Sequence, residues 1–214
     1  MDAVTRYRDE YRRENIGPRY SGRAHLGFVV IFSLGGIALC IWQLEAVRPM
    51  EWLTIPLAFV YANLVEYVGH RFVMHRKVPG LGLVYRRHAG QHHRFFTDEA
   101  MALEGWRDCK VVLFPAVLMV FFFGLFAAPA GLLLAWLTSA NVAWLFVAVA
   151  LGYYLNYELL HLAYHLPDDS RLLGLPLVRH LRRLHHRHHD TRVMAHCNFN
   201  ITYPIGDWLF RTRA

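Results

Sequence analysis

Residues 141–165 read NVAWLFVAVALGYYLNYELLHLAYH. The stretch Asn141–Leu162 is an apolar run of the length that crosses a bilayer, for which a helix takes roughly 20 mostly apolar residues. Its last turns carry Glu158 and His161, and His165 follows. Positions three and four apart share a helix face, so the segment predicts a transmembrane helix whose end presents two imidazoles. Ionisable groups at membrane depth are costly unless partnered, and they mark function by default.

Three more segments fit a bilayer: Ala24–Leu44, Trp52–Gly69 and Val111–Ala127. A fifth apolar piece, Ala130–Leu137, follows Pro129 and is too short to span alone; it either extends the third helix past a kink or lies re-entrant. Hydrophobic residues make up 55% of the chain, and they are blocked rather than spread. The expected fold is all-α and integral to the membrane, with four transmembrane helices and a cytoplasmic helical cap holding a di-metal site. Residues 1–23 read as a separate N-terminal segment, helical from Thr5 to Glu14 and ended by Gly17-Pro18. Residues 24–214 read as one membrane-embedded domain.

With four spans, both termini and the 69–110 loop share one side of the membrane. That side carries 22 of the 23 basic residues, Arg48 being the exception. The positive-inside rule makes it cytoplasmic. The fourteen histidines fall on the same side or at span ends facing it. An odd number of spans would divide them between two faces. The net charge of +7 lies in these juxtamembrane segments, which fits anionic lipid head groups and not nucleic acid. Met1–Arg23 is charged and shows no secretory signal. Arg outnumbers Lys 21 to 2, which points to a GC-rich bacterial source and so to a bacterial inner membrane.

Ten histidines form four clusters: His70 and His75; His88, His92 and His93; His161 and His165; His185, His188 and His189. Neutral imidazole is the commonest metal ligand, and ten are more than one ion uses, so two adjacent metals are expected. On α-helices His88 stacks over His92, His161 over His165 and His185 over His189, with the odd member of each triplet turned about 100° away. His70 and His75, five apart, diverge on an unbroken helix and predict a kink. A faint repeat accompanies the clusters, since Asn63, Glu66 and His70 end one span as Asn156, Glu158 and His161 end another. Each half would supply a pair plus a triplet.

Glu66 and Glu158 lie on the faces of His70 and His161, where a carboxylate can accept a ligand's other N–H. Asp207, with Asp98 and Asp190, is a further outer candidate. His186 competes with His185 for the ligand role, and spacing favours His185. His25, His180 and His196 stand outside the pattern. Cys40, Cys109 and Cys197 are scattered, against a disulfide framework or an iron–sulfur cluster. Haem would leave most of the histidines unexplained, and transport would need polar groups in spans one and three, which are apolar. Tyr153, Tyr154 and Tyr157 are either packing residues or the lining of an acyl-chain tunnel.

The boxes resemble the fatty acid hydroxylase superfamily of histidine-rich, integral-membrane di-metal oxygenases. Glu66-Tyr67-Val68-Gly69-His70-Arg71 is similar to its first box. Asn198-Phe199-Asn200-Ile201-Thr202 with Asp207-Trp208-Leu209-Phe210-Arg211-Thr212 is similar to its C-terminal signature. The resemblance covers roughly residues 60–212 and implies that the ten boxed histidines are the ligands. Asn200 and Gly206 depart from the tail signature, which bears on the substrate subfamily. Oxidising a lipid C–H bond needs redox chemistry that zinc lacks, so iron is expected, with O2 as co-substrate and zinc only on purification. Hydroxylation of a membrane lipid or acyl chain is the implied reaction. A lipid or sterol desaturase is the nearest alternative, and a non-catalytic metal-binding membrane protein the next. No dinucleotide fingerprint is present, so electrons come from an external ferredoxin, cytochrome b5 or reductase.

Overall fold

The computed structural model describes residues 2–214, and among these all regular structure is helical apart from a single bridge between Thr97 and Ala100. In chain order the α-helices are α1 (Ala3–Asn15), α2 (Gly22–Trp42), α3 (Thr54–Gly69), α4 (Gly82–Tyr85), α5 (His93–Phe95), α6 (Cys109–Val112), α7 (Ala116–Phe122), α8 (Ala128–Leu137), α9 (Ala140–Tyr164), α10 (Pro176–His188) and α11 (Ile205–Leu209). Three π-helical turns interrupt them, at His70–Met74, Arg86–His92 and Phe123–Ala127.

Four stretches are long and apolar enough to cross a membrane: Gly22–Trp42, Pro49–Met74, Trp106–Leu137 and Ala140–Tyr164. The third absorbs the fifth apolar piece, since α8 continues α7 through a π turn. Pro129, in the first turn of α8, has no N–H to give an i−4 carbonyl, and the i→i+5 turn just before it accommodates that loss. Large apolar side chains on these stretches face outward, among them Trp42, Leu57, Leu132 and Trp136. This is the surface a bilayer covers, because backbone polar groups are already paired within each helix.

The chain forms two compact units. One holds residues 24–62 and 114–157. Within it Gly36 approaches Leu151, Phe59 packs edge-on to Tyr153, Tyr154 to Phe123, and Tyr157 stacks on Phe114. The tyrosines considered as a tunnel lining thus have aromatic packing partners. The turns after α2 and α8 are knotted together. Ser139 donates to the buried Glu51 at 2.6 Å, and Asn141 donates to both Glu51 and the Glu45 carbonyl, at 3.1 and 2.7 Å.

The other unit joins the N-terminal segment up to Arg23, residues 63–113 and residues 158–214. The N-terminal segment packs within this unit. Asp2 caps α1 by accepting the Thr5 N–H at 2.7 Å. The inner face of α1 buries Arg8 and Tyr11, with Tyr11 edge-on to Phe95. Phe95, Phe96, Tyr67, Tyr164 and Phe199 form the apolar centre of this unit, and the histidines line up against it.

Candidate metal centre

Nine of the ten boxed histidines fall into two groups whose ring nitrogens lie within 4.8 Å of one another: His70, His75, His88, His93 and His188 in one, His92, His165, His185 and His189 in the other. The tenth, His161, is buried and places its Nε2 3.2 Å from that of His92, at the edge of the four-histidine group.

The π turns decide this partition. In a turn closed by i→i+5 bonds, residues five apart come to one face. The His75 N–H donates to the His70 carbonyl at 3.2 Å, and the two Nε2 atoms are 3.1 Å apart. His88 and His93 are related in the same way, their Nε2 atoms 3.1 Å apart. His88 and His92 stack as their four-residue spacing predicts, with rings near-parallel and 5.3 Å apart, yet His88 joins the five-histidine group and His92 the other. At the end of α10 the helix is regular, and His185 and His189, four apart, bring their Nε2 atoms within 3.0 Å. His188, one residue before His189, turns to the first group and places its Nε2 3.0 Å from that of His75. Each half of the sequence therefore builds most of one group and lends a single histidine, His92 or His188, to the other.

The remaining ring nitrogens show what the groups are for. The Nδ1–H of His92 donates to the Val111 carbonyl at 3.1 Å, that of His165 to Met101 at 2.8 Å, that of His188 to Cys197 at 2.9 Å and that of His189 to Phe96 at 2.7 Å. His70 Nδ1 donates to the Phe199 carbonyl. A carbonyl has no proton to give, so each bond fixes the Nδ1–H tautomer and leaves a lone pair on Nε2. Burial favours this neutral state, holding His75 down to about 2, His165 to about 3 and His188 to about 4, with His88, His92, His93, His185 and His189 well below their ordinary value. His92 and His189, both with the Nδ1–H tautomer fixed, bring two lone pairs within 3.2 Å with no hydrogen to share, and these repel one another. A cation between them removes that repulsion, and an all-imidazole donor set suits iron or zinc.

The carboxylates act at one remove. Glu66 accepts from the backbone N–H groups of Ile201 and Thr202 and from the Thr202 hydroxyl, the last at 2.6 Å. Asp207, fully buried, accepts from the N–H groups of Phe199 and Asn200 at 2.9 and 2.8 Å and from the Thr212 hydroxyl at 2.7 Å. They grip the segment whose carbonyls at Cys197 and Phe199 hold His188 and His70. Asn198, at φ 53°, makes the left-handed turn between those carbonyls, a conformation Asn tolerates. Glu158 is fully buried three residues before His161. Asp98 offers its main-chain carbonyl to the exposed His186, 2.5 Å away, and Asp190 pairs with Arg192. His25 contacts the Phe114 carbonyl in the other unit. Asn63, noted in the repeat, and Asn200, noted in the tail signature, brace the same segment, Asn63 donating to the Tyr203 carbonyl at 2.8 Å and Asn200 to that of Asn63 at 3.0 Å; no motif pointed to Arg8.

Membrane-spanning helices that end in two clusters of neutral, carbonyl-oriented histidines define a membrane-embedded metalloprotein. Residues 55–212 match the sequence model of the fatty acid hydroxylase family, and the chain belongs to that family. Among solved structures it is similar to full-length scs7p, of which only the hydroxylase domain is visible. The TM-score is 0.60 at 19% identity, over 86% of this chain and 63% of that one. At that identity the likeness is one of fold. No curated protein matches in sequence.

Proposed function

We propose that the protein is a membrane-bound di-iron monooxygenase that hydroxylates a membrane lipid or fatty acyl chain. The net reaction puts one atom of O2 into a C–H bond and the other into water, consuming two electrons and two protons. The observation that carries the reading is the pair of convergent imidazole groups, read together with membership of the fatty acid hydroxylase family. Iron held there supplies the redox chemistry with O2 that zinc lacks. The chain's own part is to present neutral nitrogens, to fix their tautomers through backbone carbonyls, and to keep bulk water out of a site where eight of the nine grouped histidines are buried.

The basic flanks place both termini in the cytoplasm, and the arginine bias suits a bacterial inner membrane. Electrons come from an external acidic donor, a ferredoxin, cytochrome b5 or reductase, drawn to the basic cytoplasmic face. Comparative lipid mass spectrometry of cells expressing wild type or the His165→Ala/His189→Ala double variant tests the proposal. A lipid that gains one oxygen only with wild type is expected. A loss of two hydrogens instead makes the protein a desaturase. No variant-dependent change, with expression matched and a working donor present, leaves a metal-binding protein without this chemistry.

A further inference from the structure

Met101 and Phe96 supply the carbonyls that orient His165 and His189, two of the four histidines of the second group. Both lie in an irregular loop, residues 96–105, outside any helix. Something has to hold those peptide planes in place, because a carbonyl that swings away releases the tautomer of its histidine.

One side chain meets the loop around both carbonyls. Arg8, on the buried face of α1 and 4% exposed, donates from Nε to the Phe95 carbonyl at 2.7 Å, next to Phe96. Its terminal nitrogens donate to the carbonyls of Ala100 and of Ala102, the latter at 3.2 Å, which flank Met101 on either side. The guanidinium also lies 5.1 and 5.4 Å from the ring centroids of Phe95 and Phe96, and the Phe96 ring packs on His165 with centroids 4.1 Å apart. A planar fork with five donors can hold three carbonyls at once, whereas an ammonium on a flexible stem cannot do so at fixed angles. Glu104 accepts from the same guanidinium at 2.8 Å but is half exposed, so the carbonyls make up most of its buried surroundings.

We infer that Arg8 is a positioning residue for the four-histidine group. Through the 95–102 backbone it fixes the carbonyls that orient His165 and His189, and so ties its own position in the N-terminal helix to that group. Arg8 lies outside residues 55–212, the part that matches the family. The carbonyl partners of His188 and His70 in the five-histidine group, at Cys197 and Phe199, are not among the acceptors of Arg8.

The inference rests on reading both groups as metal sites, and its test reads metal and not product. Purified wild type, Arg8→Ala, Arg8→Lys and Glu104→Gln chains are loaded with Co2+ and titrated with a chelator, following ions per chain and the visible spectrum. His75→Ala and His189→Ala serve as references for loss at either group. Arg8→Ala and Arg8→Lys are expected to weaken one ion by about tenfold or more, the scale on which ligand-orienting partners act. The surviving spectrum should match that of His189→Ala, and Glu104→Gln should behave as wild type. Equal affinity for both ions in folded Arg8 variants overturns the assignment, as does equal weakening of both, or loss reproduced by Glu104→Gln. If Arg8→Ala does not fold, Arg8→Lys decides; failure of that chain to fold also overturns it, since Arg8 would then support the whole fold. A wild type that binds both ions but oxidises no lipid would defeat the proposed function and leave this role of Arg8 standing.

Discussion

The five-histidine and four-histidine groups offer the same nitrogen chemistry but are held in opposite ways. The carbonyls at Cys197 and Phe199 that orient the first belong to a segment gripped by its amides, with Glu66 and Asp207 accepting four backbone N–H groups between residues 199 and 202. Those that orient His165 and His189 in the second belong to a loop gripped by its carbonyls, with Arg8 donating to three of them. A backbone offers a donor and an acceptor at nearly every residue, so an anion or a cation can fasten it. The two groups should therefore fail separately, each through its own fastener.

Neighbouring residues give the sharpest way to break that comparison. His188 and His189 are adjacent in sequence, yet they serve different groups. Each single alanine substitution is expected to remove one ion of two, a different one in each variant, and to abolish product. Metal analysis with lipid mass spectrometry checks this. If both variants lose the same ion, the partition is wrong. Asp207→Ala comes next. It leaves the buried N–H groups of Phe199 and Asn200 without their acceptor, at about 1–3 kcal/mol each. Metal affinity at the five-histidine group should fall roughly 10–100-fold, as for other outer partners, with the second ion unchanged in a chelator titration.

A smaller effect tests the same segment sterically. A Cβ at Gly206 would stand 2.7 Å from the Tyr67 side chain and 2.8 Å from Asn200 Oδ1. Gly206→Ala should cost about 1–3 kcal/mol of stability by overpacking, seen as a lower thermal midpoint. The five-histidine ion should be weakened less than by Asp207→Ala. An unchanged midpoint would mean that the 199–207 segment yields freely and is no rigid fastener.

The spans and the histidine clusters could be read in the sequence because hydrophobic blocks, basic flanks and imidazoles carry their meaning in residue type. The partition of the histidines into two groups could not. The five-residue spacing of His70 and His75 predicted a break in the winding, and a π turn stands there. The four-residue spacing of His88 and His92 fits a regular helix, so no residue type marks the π turn at Arg86–His92 that pairs His88 with His93. The fasteners were hidden for a related reason. Glu66 and Asp207 stood out as carboxylates near histidines, but their partners are main-chain amides, which every sequence has. Arg8 looked like one basic residue among the six that flank the first span, and only its burial sets it apart.

The smallest effect concerns where electrons enter. A cavity of about 730 Å³ lies between the 98–104 loop and α10, lined by Arg179, Arg182, Arg183 and His186, by the acidic Asp98, Glu99, Glu104 and Asp168, and by Met101, whose carbonyl holds His165. Neither Cys197 nor Phe199, whose carbonyls hold His188 and His70, lines this cavity. Arg182 is a poor probe of donor docking, because its Nε holds the Tyr164 carbonyl at 3.0 Å and its terminus pairs with Asp168. Arg183 is exposed. Arg183→Glu should leave metal content and thermal stability as in wild type while lowering the donor-dependent rate. A rim charge acts mainly on association and its salt dependence, so the deficit should shrink as ionic strength rises toward values where the Debye length is only a few ångströms. Rates equal to wild type at low salt would move the donor off this mouth and remove the electronic side of the asymmetry between the two groups, leaving the structural side intact.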